Sequence, residues 1–195
     1  MATYQTNAIV LKRENIFEAD RLYHLYTEDF GKVKAIAGGV RKINAKLTGH
    51  LEPFNLVWVE LMTKKGGDLF ITTALSEISL LENNASPNQI SLFAKMSDFA
   101  LKMLRGQERD KAMWNFILGS FLAAKELEAS TDPPERLPAR QSHSGGVSSS
   151  QPDEVILAGR AGKFLNDYKS GFIKIMGFGD NLKEAEYYLS DFYMI

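Results

Sequence analysis

Alternating polar and apolar residues divide the N-terminal part of the chain into short stretches typical of β-strands. Residues 21–27 and 32–37 both alternate, which indicates strands with one buried face. The apolar run at residues 8–11 predicts a buried strand, and the charged residues 12–15 are expected to form a turn after it. Two longer β-rich runs are predicted at residues 54–62 and 69–81, on either side of a hairpin-type turn at residues 64–68.

Five short strands joined by turns within about 80 residues are typical of a small closed barrel of the OB type. An open five-stranded sheet is the alternative, because periodicity does not say whether the first and last strands of a sheet pair. In the third strand, Val33, Ala35 and Ala37 are predicted to share one face, with Lys32 and Lys34 on the other.

After residue 82 the pattern changes to helical spacing. Ser86, Pro87 and Gln89 form a helix start, with Ser at the N-cap, Pro at the first helical position and Gln placed to complete a capping box. This first helix is expected to end at Gly106. A second helix is predicted at about residues 110–128, a third from residue 153 to Gly177, and a short fourth helix, in preference to a strand, at residues 181–195.

The predicted fold class is therefore α+β, with a five-stranded OB-fold β-barrel at residues 1–82 followed by a small all-helical domain at residues 83–195. Residues 129–152 are rich in Pro, Ser and Gly, and they contain almost no large apolar side chain. Such a segment buries too little surface to offset its ordering entropy, so we expect a flexible linker there.

Charge distribution adds a candidate site on the third strand and the connector that follows it. The chain has a formal net charge of −1, yet residues 30–51 contain no acidic residue and five basic ones. In OB folds the middle strands and their flanking loops line the groove for single-stranded nucleic acid, where Tyr23 and Tyr26 would be able to stack on bases. A nucleic-acid contact and a solvated charged face are both compatible with the pattern. The candidate DNA-binding residues are Lys32, Lys34, Arg41, Lys42 and Lys46.

No pattern of catalytic or metal-binding residues emerges. Without cysteine, disulfides, thiolate catalysis and cysteine-built metal sites are excluded. His24, His50 and His143 have no second ligand at metal spacing. We expect no enzymatic activity, no cofactor and no metal. The first residues also lack an apolar run of signal-peptide length, and no window has transmembrane length, so we expect a cytoplasmic, nucleoid-associated protein that does not bind membranes.

The helical half offers a weaker candidate site for a protein partner. Its aromatic and Met residues at helical spacing most simply form a core. The helices would also be able to leave a groove for a short acidic and hydrophobic peptide, with Lys102, Arg105 or Arg109 at its rim.

The order of several short segments resembles the RecO family of bacterial recombination mediators. In the helical half only residues 172–178, FIKIMGF, resemble the family pattern. The N-terminal segments are TNAIVL at residues 6–11, EADRL at 18–22, YTE at 26–28, FGK at 30–32, AIAGGVRK at 35–42 and GHLEPF at 49–54.

This resemblance implies an N-terminal OB fold and a helical domain that together bind single- and double-stranded DNA and promote strand annealing. It also implies RecR and the acidic C-terminal tail of single-stranded-DNA-binding protein as partners, and the loading of RecA onto coated DNA. By position, Arg41, Lys42 and Lys46 match the basic connector of the family, and Lys32 and Lys34 match the strand before it. Many members carry a four-cysteine zinc module, which this cysteine-free chain lacks. The competing hypothesis is an OB-fold protein–protein adaptor without DNA binding of its own.

Overall fold

The computed structural model describes residues 2–42, 45–64, 66–81, 85–129 and 152–178. Five strands are followed by three helices. The strands are β1 (Thr3–Asn15), β2 (Arg21–Thr27), β3 (Gly31–Ala37), β4 (Asn55–Thr63) and β5 (Leu69–Ser79), and the helices are α1 (Pro87–Met103), α2 (Lys111–Ala129) and α3 (Pro152–Ile175).

The five strands close into a barrel in the order β1-β2-β3-β5-β4. β1 pairs antiparallel with both β2 and β4, and a short parallel pairing of β3 with β5 completes the circle. The predicted α+β class, an OB-type barrel followed by helices, is confirmed, and the alternative of an open sheet is wrong. Because the barrel is closed, the side chains of each strand alternate between its interior and its outer surface.

The first strand is longer than its apolar run predicted. Residues 12–15 were expected to form a turn, but they continue β1 and pair with β2 as far as Asn15. The pairing register shifts between Val10 and Lys12, which marks a β-bulge. A strand can contain charged residues there because the side chain of Lys12 is exposed to solvent.

Every second side chain of β2 and β3 points into the interior of the barrel, as the alternating pattern predicted. Val33, Ala35 and Ala37 are buried in one core cluster with Val10 and Leu25, as the period of two predicted. The residues between them on β3 point outward. This places the two lysines of β3 on the outer surface of the barrel.

A second core lies between the outer surface of the barrel and the helices. Ile9, Tyr26 and Leu56 of the barrel belong to the same buried cluster as Phe93 of α1 and Trp114 of α2. The rings of Tyr26 and Trp114 have centroids 6.1 Å apart. The helices therefore cover one side of the barrel.

The first helix begins where its sequence predicts. Ser86 Oγ accepts a hydrogen bond from the Gln89 backbone N–H at 3.1 Å, and Pro87 occupies the first turn. At the start of α2, Asp110 Oδ1 accepts from the Met113 N–H at 2.9 Å. Both caps satisfy N–H groups that have no partner within their own helix.

Two of the predictions concern segments outside the described residues. The predicted linker at residues 129–152 falls there except at its ends, where Ala129 completes α2 and Pro152 begins α3. The predicted helix at residues 181–195 lies there entirely. None of the described helices is long and apolar enough to span a bilayer.

Candidate nucleic-acid interface

The two lysines of β3 have different surroundings, although both point outward. Lys34 is exposed, whereas Lys32 is partly buried. The Lys32 ammonium donates hydrogen bonds to the backbone oxygen of Leu101, at 3.0 Å, and to that of Leu104. These oxygens lie in the last turn of α1 and at its C-cap, where carbonyl groups lack helical partners.

Burial of Lys32 also changes its ionisation. Desolvation is the main cause that lowers the pKa of its ammonium, and the charge of Lys34 lowers it further. A cation at the C-terminus of a helix is favourable because the helix dipole places partial negative charge there. The Lys32 ammonium therefore already serves a partly buried contact between the barrel and the end of α1.

Lys34 belongs to a row of side chains that crosses three strands. It lies directly opposite His24 on β2, and His24 lies opposite Lys12 on β1. Glu14 is the acidic neighbour of this row, with its Oε1 2.9 Å from Lys12 Nζ and 3.3 Å from His24 Nε2. The hydrogen bond from Lys12 is the main cause that lowers the pKa of Glu14.

Burial of His24 favours the neutral form of its imidazole. Desolvation is the main cause that lowers the pKa of its imidazole, opposed by the nearby Glu14 charge and assisted by Lys34 and Lys12. The exposed positive charges of the row are thus those of Lys12 and Lys34. Lys12 was not among the candidates predicted from sequence, because its position opposite His24 depends on the strand register.

The other three candidate cations lie on the connector between β3 and β4, and all three are exposed. Arg41 joins this connector to the loop between β1 and β2. Its backbone N–H donates to Ala19 O at 3.1 Å, and its Nη1 donates to Phe17 O at 3.2 Å. Lys42 lies over Gly39, because a Cβ placed on that glycine would be 3.8 Å from Lys42 Cδ.

Buried residues hold the connector against the barrel. Val40 and Leu51 are 1% and 0% exposed and belong to the barrel core. Thr48 donates a hydrogen bond to Val40 O, and the Gly39 N–H donates to Asp20 Oδ1 at 2.8 Å. The described part of this basic connector is therefore a series of anchored turns that presents Arg41, Lys42 and Lys46 to solvent.

The tyrosines expected to stack on bases are not available to a ligand. Tyr23 is 0% exposed within the barrel core, and Tyr26 is 2% exposed beneath the helices. Two phenylalanines that were not predicted as site residues are more accessible. Phe17, in the loop between β1 and β2, is 67% exposed, and the partly exposed ring of Phe70 has Lys64 Nζ 3.6 Å from its centroid. The sequence feature that would have indicated Phe17 is the presence of a large aromatic residue within a polar loop.

The three cations suggested for partner binding lie near one another in sequence, and none of them is among the residues that line the groove between α2 and α3. Arg109 pairs with Asp29 of the barrel, with 3.2 Å between Nη2 and Oδ1. Lys102 and Arg105 are exposed at and after the end of α1. A groove of about 430 Å³ between α2 and α3 is lined by other residues: Asn115, Phe116, Gly119, Ser120, Ala123, Phe164, Asp167 and Tyr168.

Metal-ligating side chains do not cluster in the part of the chain that the structure describes. His24 faces Glu14, as described above, and His50 Nδ1 is 3.1 Å from Ser76 Oγ. His143 lies outside the described residues.

Comparison with known proteins gives a family match to the barrel half of the chain. Residues 1–81 match the family model described as "Recombination protein O N terminal". A protein of Cutibacterium acnes named "DNA repair protein RecO" is 36% identical over 69 residues, which are 35% of this chain and 28% of the relative. Proteins of the same name from Bifidobacterium adolescentis and Bifidobacterium animalis subsp. lactis are 38% identical over 79 residues and 42% identical over 66 residues.

These two matches cover 40% and 34% of this chain, and 31% and 27% of the respective relatives. The matched segment therefore spans less than a third of each curated relative. The family-model match at residues 1–81 includes the five strands and the connector that carries Arg41, Lys42 and Lys46, so the resemblance noted in the sequence coincides with the barrel. The N-terminal part of the chain, residues 1–81, is therefore similar to the N-terminal domain of the RecO family.

Proposed function

We propose that this protein is a DNA repair and recombination mediator that binds DNA through the uncovered side of its barrel. The observation that carries the proposal is the exposure of Lys34, Arg41, Lys42 and Lys46 on β3 and the connector that follows it. In a chain with a formal net charge of −1, this local positive charge is suited to a polyanion. The names of the relatives agree with a DNA repair role.

We assign the phosphate contacts to four of the five candidate cations. Lys32 is omitted because, unlike the other four, it is partly buried, and its ammonium donates to Leu101 O and Leu104 O at the end of α1. Contacts between cations and phosphate carry no base information, so binding would be independent of sequence. Neutralised phosphates would also repel a complementary strand less, because the repulsion between strands is electrostatic. This supports the strand-annealing activity that the family resemblance implies.

The family resemblance extends the proposal to protein partners. They would be RecR and the acidic C-terminal tail of single-stranded-DNA-binding protein, and the outcome would be the loading of RecA onto coated DNA. The helices pack on the side of the barrel that carries Ile9 and Tyr26, whereas the cations of the basic connector are exposed to solvent. Lys102, Arg105 and Arg109, at and after the end of α1, are the candidate cations for an acidic tail.

A salt titration tests DNA binding directly. Labelled single- and double-stranded DNA would be titrated at several salt concentrations with the wild type and with an Arg41→Ala, Lys42→Ala, Lys46→Ala triple variant. On a single strand, the slope of log K against log salt is expected to become shallower by about 0.7 for each phosphate that the variant no longer neutralises.

A control variant removes the same charge from another surface. Lys95, Lys163 and Lys174 are exposed lysines of the helices, and replacing all three by Ala also lowers the net charge by three. The control is expected to keep the wild-type slope. If the wild type does not bind DNA at low salt, the adaptor hypothesis replaces this proposal. If both triple variants lose affinity equally, the basic connector is not the site.

A further inference from the structure

Apolar side chains form a continuous strip on the outer surface of the barrel. Leu22 of β2 lies opposite Ile36 of β3, Ile36 lies opposite Phe70 of β5, and Phe70 lies opposite Met62 of β4. All four alternate with buried interior residues, so they point outward, and all four are partly exposed. The strip thus crosses four neighbouring strands.

This strip belongs to neither of the two hydrophobic cores of the described structure. Its four residues are absent from the barrel core and from the core between the barrel and the helices. Phe17, at 67% exposure, lies in the loop that leads into β2, close in sequence to Leu22. Exposed apolar side chains that are contiguous across strands mark a binding surface more often than isolated ones do.

Three cations lie beside the strip or beside the loop that contains Phe17. Lys34 is the outward neighbour of Ile36 on β3, and Lys64 Nζ lies 3.6 Å from the centroid of the Phe70 ring. Arg41 Nη1 donates to the backbone oxygen of Phe17 at 3.2 Å. An apolar protein surface as the partner would require these cations to be desolvated, whereas a strand of nucleic acid would place phosphates beside them and bases on the strip.

We infer that this strip is a base-stacking surface, with Phe17 and Phe70 as its aromatic platforms, and that it makes the protein prefer single-stranded DNA to duplex. The inference rests on the DNA binding proposed above and adds a role for the bases. In a single strand the base faces are free to stack on aromatic rings, and such stacking tolerates any sequence. In a duplex the faces are stacked on one another, so only the phosphate contacts remain available.

The test compares two oligonucleotides with the same phosphates, one with bases and one made of abasic sites, each titrated at fixed salt. The wild type is expected to bind the base-containing strand more tightly. A Phe17→Ala, Phe70→Ala variant is expected to lose at least about fivefold in affinity for that strand, the lower end of the effect of losing one stacked base, and to bind the abasic strand as the wild type does.

Two further variants separate stacking from general loss of apolar surface. Leu75→Ala removes an exposed apolar side chain, 53% accessible, that lies opposite Trp58 rather than on the strip, and it is expected to change neither affinity. Phe17→Tyr keeps an aromatic ring at the most exposed position, where a substitution does not disturb a core, and is expected to retain base-dependent binding.

The failure of this inference is distinguishable from failure of the proposed function. If the wild type binds both oligonucleotides equally, or the double variant loses affinity for both, DNA binding stands and the stacking role is overturned. If the wild type binds neither oligonucleotide at low salt, both are overturned.

Discussion

Lys32 is expected to act in folding stability rather than in DNA binding, and a Lys32→Met substitution tests this directly. Met keeps an unbranched apolar side chain of similar length but removes the ammonium. Leu101 O and Leu104 O would then lose their donor at the end of α1. The substitution therefore isolates the charged hydrogen bonds between the barrel and the helix.

The expected loss of stability follows from those hydrogen bonds. A hydrogen bond to a charged group contributes about 1.5–3 kcal/mol, and a cation at a helix C-terminus about 0.3–1 kcal/mol. Because Lys32 is only partly buried, solvent replaces part of both contributions. We expect the free energy of unfolding to fall by about 2 kcal/mol, which lowers Tm by roughly 4–8 °C for a chain of this size.

Urea denaturation followed by circular dichroism would measure the change, with Lys34→Met as the matched control. Lys34 is exposed two positions further along the same strand, so its substitution is expected to change stability by less than about 0.5 kcal/mol. DNA affinity is expected to show the opposite order, with the larger loss in Lys34→Met. Equal stability of the two variants, or a larger loss of DNA affinity in Lys32→Met, would refute the assignment of Lys32 to folding stability.

Three further predictions concern stability at other contacts. Gly31→Ala is expected to lower the free energy of unfolding, measured by urea denaturation, by more than about 2 kcal/mol, because Gly31 has a φ of +64° and an added Cβ would clash with the backbone oxygen of Glu108. Gly49→Ala is the control, because its Cβ meets no atom within 4 Å. Equal effects of the two substitutions would contradict the clash. Because the pKa of His24 is lowered by burial, the unfolded chain takes up a proton first as pH falls below about 6.5, so the urea midpoint is expected to be lower at about pH 5.5 than at about pH 7.5. That decrease should be smaller in His24→Gln, and an unchanged decrease would assign the effect to other groups. Arg109→Ala removes an exposed ion pair with Asp29 and is expected to cost less than about 1 kcal/mol, so a larger loss in thermal denaturation would show that this pair is energetically more important than its exposure indicates.

The local sequence pattern predicted the strands and helices of this fold better than it predicted which of them contact one another. The alternation of Val33, Ala35 and Ala37 with lysines specified which face of β3 is buried, and the Ser86 cap specified where α1 begins. Both depend on residues close in sequence. The number and length of the strands suggested a barrel, but an open sheet stayed possible until the pairing of β3 with β5 showed closure.

The candidate site was only partly predictable, because contacts between distant segments decide which side chains remain accessible. Lys32 and Lys34 have the same periodicity, yet only Lys32 meets the end of α1, 69 residues further along. Tyr26 likewise lies on the outer face of β2 and is covered by Trp114. The apolar strip was not identified from the sequence, because its four residues lie on four strands and only the strand register shows that they are adjacent.

The turn between β2 and β3 and the start of β3 fix the orientation of the barrel relative to the helices. Gly31 packs against residue 108, Asp29 pairs with Arg109, and Lys32 binds the end of α1, so three contacts from one turn attach the barrel to the helical half. The barrel cannot rotate on the helices without breaking them. If DNA binds the uncovered side of the barrel as proposed, a protein docked on the helices would therefore face the bound strand from a fixed position.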